Sequence, residues 1–374
     1  MRQKTVCFFC GDITRCGGTE RASTIIANLL HRQGLYKVVF LSLVEHDPEP
    51  FFPLDKEIAR YRLGDAWIDP GPGYLKILPK LRKFLKDQDV DVIIDIDIVL
   101  DCLSVPACVG LKTKVISWEH FNCQFEQSVL YRKLILRHLT GRSDYVVTLT
   151  QRDKEQYIRC LKRQERIQAI CNPIEEPALA PESKKEKWII TVGRFVPEKG
   201  PEYLLEVARC ILKKHPDWQW ILLGEGDMKP VLEDGIRNGQ LEDRLILKGN
   251  VRNVGDYLQR AQIYVMTSRR EALPMCLLEA KAHELPCVAF DVPTGPAELI
   301  ADGINGYLIS AFDCDRMAEK IERLIEDAQL RERFSSNAGL GMEKYRPDFI
   351  LAQWDQVIEQ VCPSIEKRSS VEQR

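Results

Sequence analysis

The first half of the chain alternates short runs of apolar residues with segments in which apolar residues recur every three or four positions. Apolar runs of this kind predict buried strands, and the longer spacing predicts helices with one buried face. The predicted strands are Thr5–Cys10, Lys37–Leu43, Asp91–Asp95, Lys114–Trp118 and Asp144–Leu149, and the first predicted helix is Thr19–Arg32. Because strands that alternate with helices form parallel sheets covered on both faces, this half is expected to be a doubly wound, Rossmann-like domain.

A segment rich in proline and charge, residues 173–187, interrupts the alternation and is predicted to be a linker. The alternation then resumes, which predicts a second domain of the same kind. Its predicted strands are Trp188–Val192, Trp218–Leu223, Leu245–Lys248, Ile263–Met266 and Pro286–Phe290, and the predicted helices include Pro201–His215, Asp313–Glu326, Leu330–Met342 and Pro347–Val361. The prediction is an α/β protein with Rossmann-like domains at residues 1–172 and 188–346, and a C-terminal helix and tail at 347–374.

The composition is that of an ordinary globular protein, with 45% hydrophobic and 29% charged residues among 374. This length suffices for two domains that each bury a core. The N-terminal residues lead into a short apolar run without a cleavage site, and no apolar run approaches the length of a membrane span. We therefore expect a cytoplasmic protein, and we expect no nucleic-acid partner.

The formal net charge of −2 conceals an asymmetry between the two halves. Residues 1–172 contain 26 basic and 21 acidic residues, a net charge of +5, and the remainder carries −7. Much of the positive charge lies in Tyr74–Lys86, where Leu78, Leu81 and Leu85 can share one helical face. This segment could rest peripherally on the anionic inner face of the cell membrane. A core-packed helix with a solvated basic side explains the same pattern.

The thirteen cysteines are scattered along the chain. In a cytosolic protein such residues behave as small buried hydrophobes. Cys7 and Cys10 form a C-x-x-C, but residues three apart in a strand point to opposite faces, and no second pair follows at the spacing of a zinc site. No metal or redox role is predicted for this pair.

Two carboxylates, Glu271 and Glu279, flank a predicted helix start. Pro274 suits the first helical turn, where its missing N–H costs nothing, so the helix is expected to begin near Leu273. The unpaired N–H groups of a first turn attract anions. A phosphorylated sugar could therefore present its diphosphate to the helix end and its hydroxyls to the two carboxylates. Two solvated glutamates, one in a loop and one on a helix, are the plain alternative.

The first turn between strand and helix contains Gly17 and Gly18, which let the backbone approach a ligand. Ligands of doubly wound sheets bind beyond the carboxyl ends of the strands, where this turn is expected to lie. Thr19 can cap the helix that follows. The dinucleotide fingerprint G-x-G-x-x-G is absent, which disfavours an NAD-dependent oxidoreductase, and packing alone could also explain the glycines.

Five blocks of sequence together resemble the retaining glycosyltransferases of family 4, which have the GT-B fold of two Rossmann-like domains facing each other across a cleft. The blocks are Gly17–Arg21, Trp118–His120, Val192–Gly200, Ser268–Glu279, and Asp291–Ile300 with Gly303–Tyr307. Each block alone is weak, but the ordered set spans nearly the whole chain. The resemblance implies that the C-terminal helix returns to the N-terminal domain. It also implies a nucleotide-sugar donor in the second domain, and a saccharide or lipid-linked saccharide acceptor in the first.

The resemblance further implies roles for four charged residues. Arg194 and Lys199 would bind the diphosphate, because departure of a nucleoside diphosphate builds negative charge that fixed cations stabilise. Glu279 would accept the ribose hydroxyl groups. Glu271 would contact the hydroxyl groups of the donor sugar and orient it.

The remaining implied site residues are uncharged or neutral. Gly17 and Gly18 would lie at the donor phosphate, which the Gly18 N–H would approach from the first domain. His120 would act beside the sugar ring and its developing positive charge. The other implied contacts to the donor are Ala272, Leu273 and Pro274.

Members of this family are thought to retain anomeric configuration by front-face displacement, in which the leaving phosphate takes the proton of the acceptor. This reaction needs no metal-binding D-x-D block. Asp95-Ile-Asp97 matches D-x-D in letters, but it ends a predicted buried strand, so it is interpreted as strand-end structure. We predict neither a divalent metal nor a cofactor.

Two departures from the family pattern bear on specificity. Ala272 stands where glycine is usual, and His283-Glu284 replaces a usual Cys-Gly, so the choice of donor can differ although activity is expected. The block Pro293–Pro296 is similar to that of members that use UDP-sugars in bacterial surface-polysaccharide assembly, which favours UDP over GDP. The expected activity is transfer of a hexose-type sugar. The alternatives are another GT-B enzyme, such as a non-hydrolysing UDP-sugar epimerase, and a non-catalytic subunit that binds sugar nucleotides.

Overall fold

The computed structural model describes residues 2–66, 72–174 and 184–364. The chain divides into two units by its contacts: Met1–Pro173 together with Pro347–Arg374, and Ile174–Arg346. Residues 175–183 of the predicted linker and residues 365–374 of the predicted tail lie outside the described residues.

The first unit is built on a parallel sheet of seven strands. The strands are β1 (Lys4–Cys10), β2 (Tyr36–Ser42), β3 (Ala59–Arg62), β4 (Val92–Ile96), β5 (Lys114–Trp118), β6 (Tyr145–Thr148) and β7 (Ile167–Ala169). Their order in the sheet is β3-β2-β1-β4-β5-β6-β7. The direction reverses beside β1, which is the arrangement of a doubly wound domain.

Within the described ranges, six helices connect these strands. They are α1 (Gly18–Arg32), α2 (Pro72–Asp87), α3 (Asp101–Cys108), α4 (Cys123–Ser128), α5 (Leu130–His138) and α6 (Gln151–Leu161), with short 3-10 turns at Ile98–Leu100 and Thr140–Arg142. Buried residues of β1, β2 and β4 pack against α2 and α3 on one face of the sheet. The central strands are buried along nearly their whole length, as expected for a parallel sheet covered on both faces.

The second unit repeats this plan with a parallel sheet of six strands. The strands are β8 (Trp188–Val192), β9 (Gln219–Leu223), β10 (Leu245–Gly249), β11 (Ile263–Met266), β12 (Cys287–Asp291) and β13 (Gly306–Ser310). Their order is β10-β9-β8-β11-β12-β13. Strands β8, β11 and β12 are therefore neighbours, and their carboxyl ends meet at one edge of the sheet.

The described residues of this unit form seven helices. They are α7 (Pro201–Lys214), α8 (Lys229–Gly239), α9 (Val254–Arg260), α10 (Met275–Ala282), α11 (Pro296–Leu299), α12 (Cys314–Glu326) and α13 (Ala328–Ser336), with short 3-10 turns at Pro197–Lys199 and Glu343–Tyr345. One large buried cluster joins the sheet to helices α7, α8 and α12.

The last helix, α14 (Pro347–Val361), packs in the first unit. Trp354 is fully buried and its ring centroid lies 4.8 Å from that of Trp118 at the end of β5. Glu359 forms an ion pair with Lys4 at the start of β1. These contacts attach the end of the chain to the sheet formed by its beginning.

The two parallel sheets confirm the predicted α/β class. The predicted helix Leu330–Met342 is wrong at both ends, because the side chain of Asp327 accepts the Leu330 N–H at 2.9 Å and starts the helix earlier, at Ala328. It ends at Ser336, before two glycines whose freedom disfavours a helix. None of the described helices combines the length and the apolar character that a membrane span requires.

The sequence analysis did not predict three of the strands, β3, β7 and β13. All three lie at the edges of their sheets. Edge strands are short and only partly covered, as the exposed ends of β3 show. β3 and β7 therefore lack the continuous apolar run by which the central strands were recognised, and β13 has only the short run Tyr307–Ile309.

Candidate functional site

The loop after strand β8 carries Arg194 and Lys199, the two predicted diphosphate ligands. It ends in the short 3-10 turn Pro197–Lys199, which is followed by Gly200. Gly200 has a φ of +60°, and a Cβ atom there would lie 2.3 Å from the carbonyl oxygen of Thr267. Glycine is therefore required, because its backbone passes directly against the residue that follows strand β11.

Hydrogen bonds attach this loop to the segment after β11. The Thr267 hydroxyl donates to the carbonyl oxygens of Lys199 and Gly200 at 3.1 and 3.2 Å. The Arg269 N–H donates to the carbonyl oxygen of Glu198 at 2.8 Å. Since β8 and β11 are parallel neighbours, both loops leave the same edge of the sheet, and these bonds hold them side by side.

Lys199 and Glu271 form an ion pair at this edge. Nζ of Lys199 lies 2.5 Å from Oε1 of Glu271, and the Glu271 side chain is only 8% exposed. Burial disfavours the charged ammonium, but the carboxylate of Glu271 outweighs burial, so the pKa of Lys199 is raised above its ordinary value. Lys199 therefore carries its positive charge at neutral pH.

The loop after strand β12 packs against the segment that contains Glu271. The Thr294 hydroxyl donates to the carbonyl oxygen of Glu271. Gly295 has a φ of +95°, and a Cβ atom there would lie 2.8 Å from the carbonyl oxygen of Ala272. Sequence analysis used Thr294 and Gly295 only as part of the block Pro293–Pro296 that favours UDP, although a glycine between prolines also signals such a tight turn.

Helix α10 begins two residues later than predicted, at Met275. Pro274 is its N-cap, with φ −73° and ψ 109°, and its carbonyl oxygen accepts the N–H groups of Leu277 and Leu278 at 3.1 Å. An N-cap residue has non-helical dihedral angles, so Pro274 and the buried Leu273 before it lie outside the helix. The prediction of a helix start near Leu273 is wrong for this reason.

Glu279 lies within helix α10 and is only 6% exposed. Cys276, a partly buried thiol one turn before Glu279, was given no role in the sequence analysis. Burial raises the pKa of Cys276 to about 11, and the charges of Lys199, Glu271 and Glu279 all act on this thiol. The four side chains therefore form one electrostatic group at the start of α10.

Arg194 differs from Lys199 in its surroundings. It is exposed, and within the described ranges its guanidinium forms no ion pair. Its charge acts electrostatically on Glu198 and Lys199, which share its loop. The structure thus pairs Lys199 with Glu271, places Glu279 where its charge acts on the neighbouring Cys276, and leaves Arg194 exposed.

Gly17 and Gly18 lie in the first unit, in the turn that leads from β1 into α1. Gly17 is the N-cap, with φ −111° and ψ 162°, and the helix begins at Gly18. Thr19 therefore lies inside the helix, and the prediction that it forms the cap is wrong. The Glu20 side chain folds back over Gly17, since a Cβ atom there would lie 2.2 Å from Oε2 of Glu20. This carboxylate occupies the space that a cap side chain would need.

His120 also lies in the first unit, two residues beyond the end of β5. It is 9% exposed, its ring centroid lies 4.4 Å from that of Trp118, and its buried Nε2 has no hydrogen-bond partner among the described residues. Burial lowers the pKa of His120 to about 3. The imidazole is therefore neutral at physiological pH, with one nitrogen still available for a hydrogen bond.

Glu119, beside His120, was given no role in the sequence analysis. Its side-chain oxygens accept two hydrogen bonds, one from the Phe121 N–H at 2.7 Å and one from the Tyr157 hydroxyl. Burial raises the pKa of Glu119 well above its ordinary value. The first bond fixes the backbone directly after His120, and the second holds the Glu119 side chain in place.

The D-x-D letters at Asp95 and Asp97 correspond to a strand end. Asp95 is fully buried and accepts a hydrogen bond from Ser104, and Asp97 caps the 3-10 turn after β4. Carboxylate oxygens of Asp97, Glu119 and Glu126 lie within 4.8 Å of one another, a spacing that could hold a cation. A protein cation is already present, because Arg132 lies 3.1 Å from Asp97 and 2.6 Å from Glu126.

Two family models match successive parts of the chain. The model of Glycosyltransferase Family 4 matches residues 16–176. The model of Glycosyl transferases group 1 matches residues 175–340. The boundary between the two matches falls at the boundary between the two structural units.

Whole-length relatives agree with these matches. An uncharacterized glycosyltransferase of Haemophilus influenzae is 31% identical over 95% of this chain and 100% of its own length. The amylovoran biosynthesis glycosyltransferase AmsD of Erwinia amylovora is 26% identical over 92% of this chain and 97% of its own.

A solved structure shows the same fold. The pneumococcal O-GlcNAc transferase GtfA, crystallised with UDP and GlcNAc, superposes with a TM-score of 0.81 at 16% identity, covering 97% of this chain and 100% of that chain. The similarity extends over both structural units. The chain therefore belongs to the family 4 glycosyltransferases and has the GT-B fold.

Proposed function

We propose that this glycosyltransferase moves a hexose-type sugar from a UDP-sugar to a saccharide or lipid-linked saccharide acceptor, with retention of anomeric configuration and without a metal. The observation that carries the proposal is the Lys199–Glu271 ion pair at the carboxyl edge of the second sheet. Doubly wound sheets bind ligands at this edge. The relative named for amylovoran biosynthesis supports a polysaccharide product, and the UDP in the pneumococcal structure supports the nucleotide.

The ion pair suits sugar transfer because it places a cation, Lys199, beside a carboxylate, Glu271, that can accept hydrogen bonds from sugar hydroxyl groups. When the bond between the anomeric carbon and the phosphate oxygen breaks, negative charge develops on the diphosphate. Lys199, held charged by Glu271, would stabilise that charge together with the exposed Arg194. The second carboxylate oxygen of Glu271 would accept hydroxyl groups of the donor sugar.

The positive charge that develops on the sugar ring needs surroundings that do not repel it. His120 suits this role because its buried imidazole is neutral. The acceptor oxygen would then bond to the anomeric carbon on the face that the phosphate leaves. The acceptor's proton would pass to the departing phosphate oxygen. No protein base or metal is needed for this transfer, so neither is assigned.

The ribose and phosphate contacts complete the proposed donor site. The carboxylate of Glu279 would accept the ribose hydroxyl groups, beside the backbone of Ala272, Leu273 and Pro274. Gly17 and Gly18 would approach the phosphate through backbone N–H groups, as the family resemblance implies. Peripheral contact with an anionic membrane surface through helix α2 belongs to the same proposal.

A thermal-shift panel of nucleotides in EDTA tests the donor assignment. UDP and UDP-sugars should raise the melting temperature more than GDP, because a ligand that binds only the folded state stabilises it, by about 2.7 kcal/mol at ~100 times its Kd. Lys199→Ala should abolish most of this shift and lower turnover about 100-fold or more. Lys229→Ala, at an exposed ion pair on α8, is the matched control. A melting temperature that no nucleotide changes would refute the proposal. Conversion of a UDP-sugar to its epimer without an acceptor would favour an epimerase.

A further inference from the structure

Two cysteines that are distant in sequence meet between helices α4 and α6. Sγ of Cys123 lies 2.8 Å from Sγ of Cys160, and both are free thiols. The Cys123 N–H also donates to Oδ1 of Asp153 on α6 at 2.9 Å, which ties the two helices together at this point. Because a disulfide has an S–S distance of about 2.05 Å, a movement of less than one ångström would bring the sulfurs to bonding distance.

The two sulfurs differ in their access to solvent. Cys123 is fully buried, whereas Cys160 is partly exposed. Cys160 lines an open cavity of about 610 Å³ together with the basic side chains of Arg137, Arg159 and Lys162. A small polar oxidant can therefore reach Cys160 but not Cys123.

The contact between the sulfurs also shifts the pKa values of the two thiols in opposite directions. The hydrogen bond with Cys123 lowers the pKa of Cys160 to about 7, and the charge of Arg137 acts in the same direction. The same contact raises the pKa of Cys123. Cys160 therefore has more thiolate character than Cys123, and the thiolate is the form that attacks oxidants.

We propose that Cys160 and Cys123 form a peroxide-sensitive thiol pair, in which Cys160 is oxidised first and Cys123 then closes a disulfide. The Cys160 thiolate attacks hydrogen peroxide, the O–O bond breaks, and the products are a sulfenic acid and, after protonation, water. The sulfur of Cys123 then attacks the sulfenic sulfur. The S–O bond breaks, the S–S bond forms, and the leaving hydroxide departs as water with the Cys123 proton. Two thiols are oxidised and one peroxide is reduced to two waters.

The position of the pair links it to the first unit's candidate catalytic residue. Cys123 is the first residue of α4 and follows His120 by three positions in the sequence. A disulfide would fix the start of α4 to α6. The oxidation chemistry itself does not depend on the proposed sugar transfer, so each can fail without the other.

Differential alkylation and peptide mapping test the pair in the full-length protein. The reduced protein is treated with hydrogen peroxide, free thiols are blocked, and the remaining disulfides are reduced, labelled and identified by mass spectrometry. The expected first product is the Cys123–Cys160 disulfide, reversible by dithiothreitol. With Cys123→Ser, dimedone should trap a sulfenic acid at Cys160. With Cys160→Ser, Cys123 should stay reduced.

Cys210, an exposed thiol on helix α7, is the internal control. Cys160 should react with peroxide at least about tenfold faster than Cys210, because thiolate character rather than exposure sets the rate. Reaction of Cys210 at the same rate would overturn the proposal. So would a sulfenic acid that accumulates at Cys160 of the unaltered protein without a bond to Cys123. Both measurements use the native sequence and stand even if a variant fails to fold.

Discussion

At the scale of single residues, the two carboxylates of the proposed site, Glu271 and Glu279, have different surroundings. Glu271 is paired with Lys199 in a loop, whereas Glu279 is buried in the body of helix α10. The first is held by its ion pair with Lys199 and by the Thr294 hydroxyl, and the second is fixed by the helix. This difference agrees with the proposed division between sugar contact and nucleotide contact.

Glutamine substitutions should separate these two roles. Glu279→Gln should weaken UDP binding by about 10-fold to 100-fold, the value of one or two hydrogen bonds to a charged group. Glu271→Gln should keep UDP binding within a few-fold and lower turnover. Calorimetric titration with UDP and steady-state kinetics measure the two effects. An equal loss of UDP affinity in both variants would contradict the assignment.

The buried His120 should make stability depend on pH. Its pKa is about 3 in the folded state against an ordinary value of 6.5, so between these values the unfolded chain binds more protons. The free energy of unfolding therefore falls as pH is lowered through this window. Between pH 7 and pH 5 this residue should account for a loss of about 2 kcal/mol.

Urea unfolding of the native protein and of His120→Gln at the two pH values measures this contribution. The difference between the two proteins should change by that amount between pH 7 and pH 5. His138→Gln, at the exposed end of helix α5, is the control for the loss of any histidine. A difference that stays constant with pH would show that the native His120 is protonated like the unfolded one.

At the scale of elements, three loops at one edge of the second sheet form the proposed donor site. The loop after β8 provides Lys199, the loop after β11 provides Glu271, and the loop after β12 packs behind Glu271. Backbone contacts at glycines hold these loops together. The geometry of the charged groups therefore depends on residues that carry no charge.

Gly200→Ala tests this dependence. The variant forces a side chain into the left-handed region and against the Thr267 carbonyl oxygen, 2.3 Å away. The left-handed conformation alone costs an alanine roughly 1–2 kcal/mol, and the contact adds to it. The melting temperature should fall, and UDP binding should weaken because Lys199 is displaced. Gly339→Ala, whose added Cβ meets nothing within 4 Å, should leave both unchanged. Equal behaviour of the two variants would contradict this account.

Helix α2 is the element proposed to contact a membrane surface. Tyr74, Ile77 and Leu81 are buried against the sheet, so one face of α2 packs in the core. Leu75 is 73% exposed on the other side, where Lys76, Lys83 and Lys86 also reach solvent. Arg82 instead donates to the carbonyl oxygens of Ala107 and Val109, so its charge has a structural function.

Replacing Lys76, Lys83 and Lys86 by glutamine should therefore weaken binding to anionic vesicles without unfolding the helix. At about 1 kcal/mol per basic residue, the loss should exceed roughly 100-fold at low salt. Flotation with phosphatidylglycerol vesicles measures it. A control variant with exposed residues of the second unit replaced, Lys213, Lys248 and Arg252, should float like the native protein. Absent or salt-insensitive flotation of the native protein would reject the membrane contact.

At the scale of the whole molecule, one plan is used twice. Each unit covers a parallel sheet with helices, and each has its direction reversal beside its first strand. The last helix joins the first unit, so the two ends of the described chain share one core. The matches to the two family models follow the same division.

The sequence by itself determined the fold class, because continuous apolar strands that alternate with amphipathic helices can bury their surfaces in few other ways. It also indicated Lys199, Glu271 and Glu279 as one group, because their spacing resembles that of a known family. It could not find the edge strands β3, β7 and β13, the cap at Gly17 or the start of α10. The cap depends on the Glu20 side chain folding back over Gly17, and the start of α10 depends on which carbonyl oxygen accepts its first N–H groups.

Only the tertiary structure decided which side chains touch. The 2.5 Å pair of Lys199 and Glu271 joins residues 72 positions apart, through two parallel strands that end at the same edge. The meeting of Cys123 and Cys160 across 37 positions likewise follows from the packing of α4 on α6. The neutrality of His120 comes from burial on all sides. Charge, acidity and contact depend on distance in space, which sequence spacing fixes only within a single helix or strand.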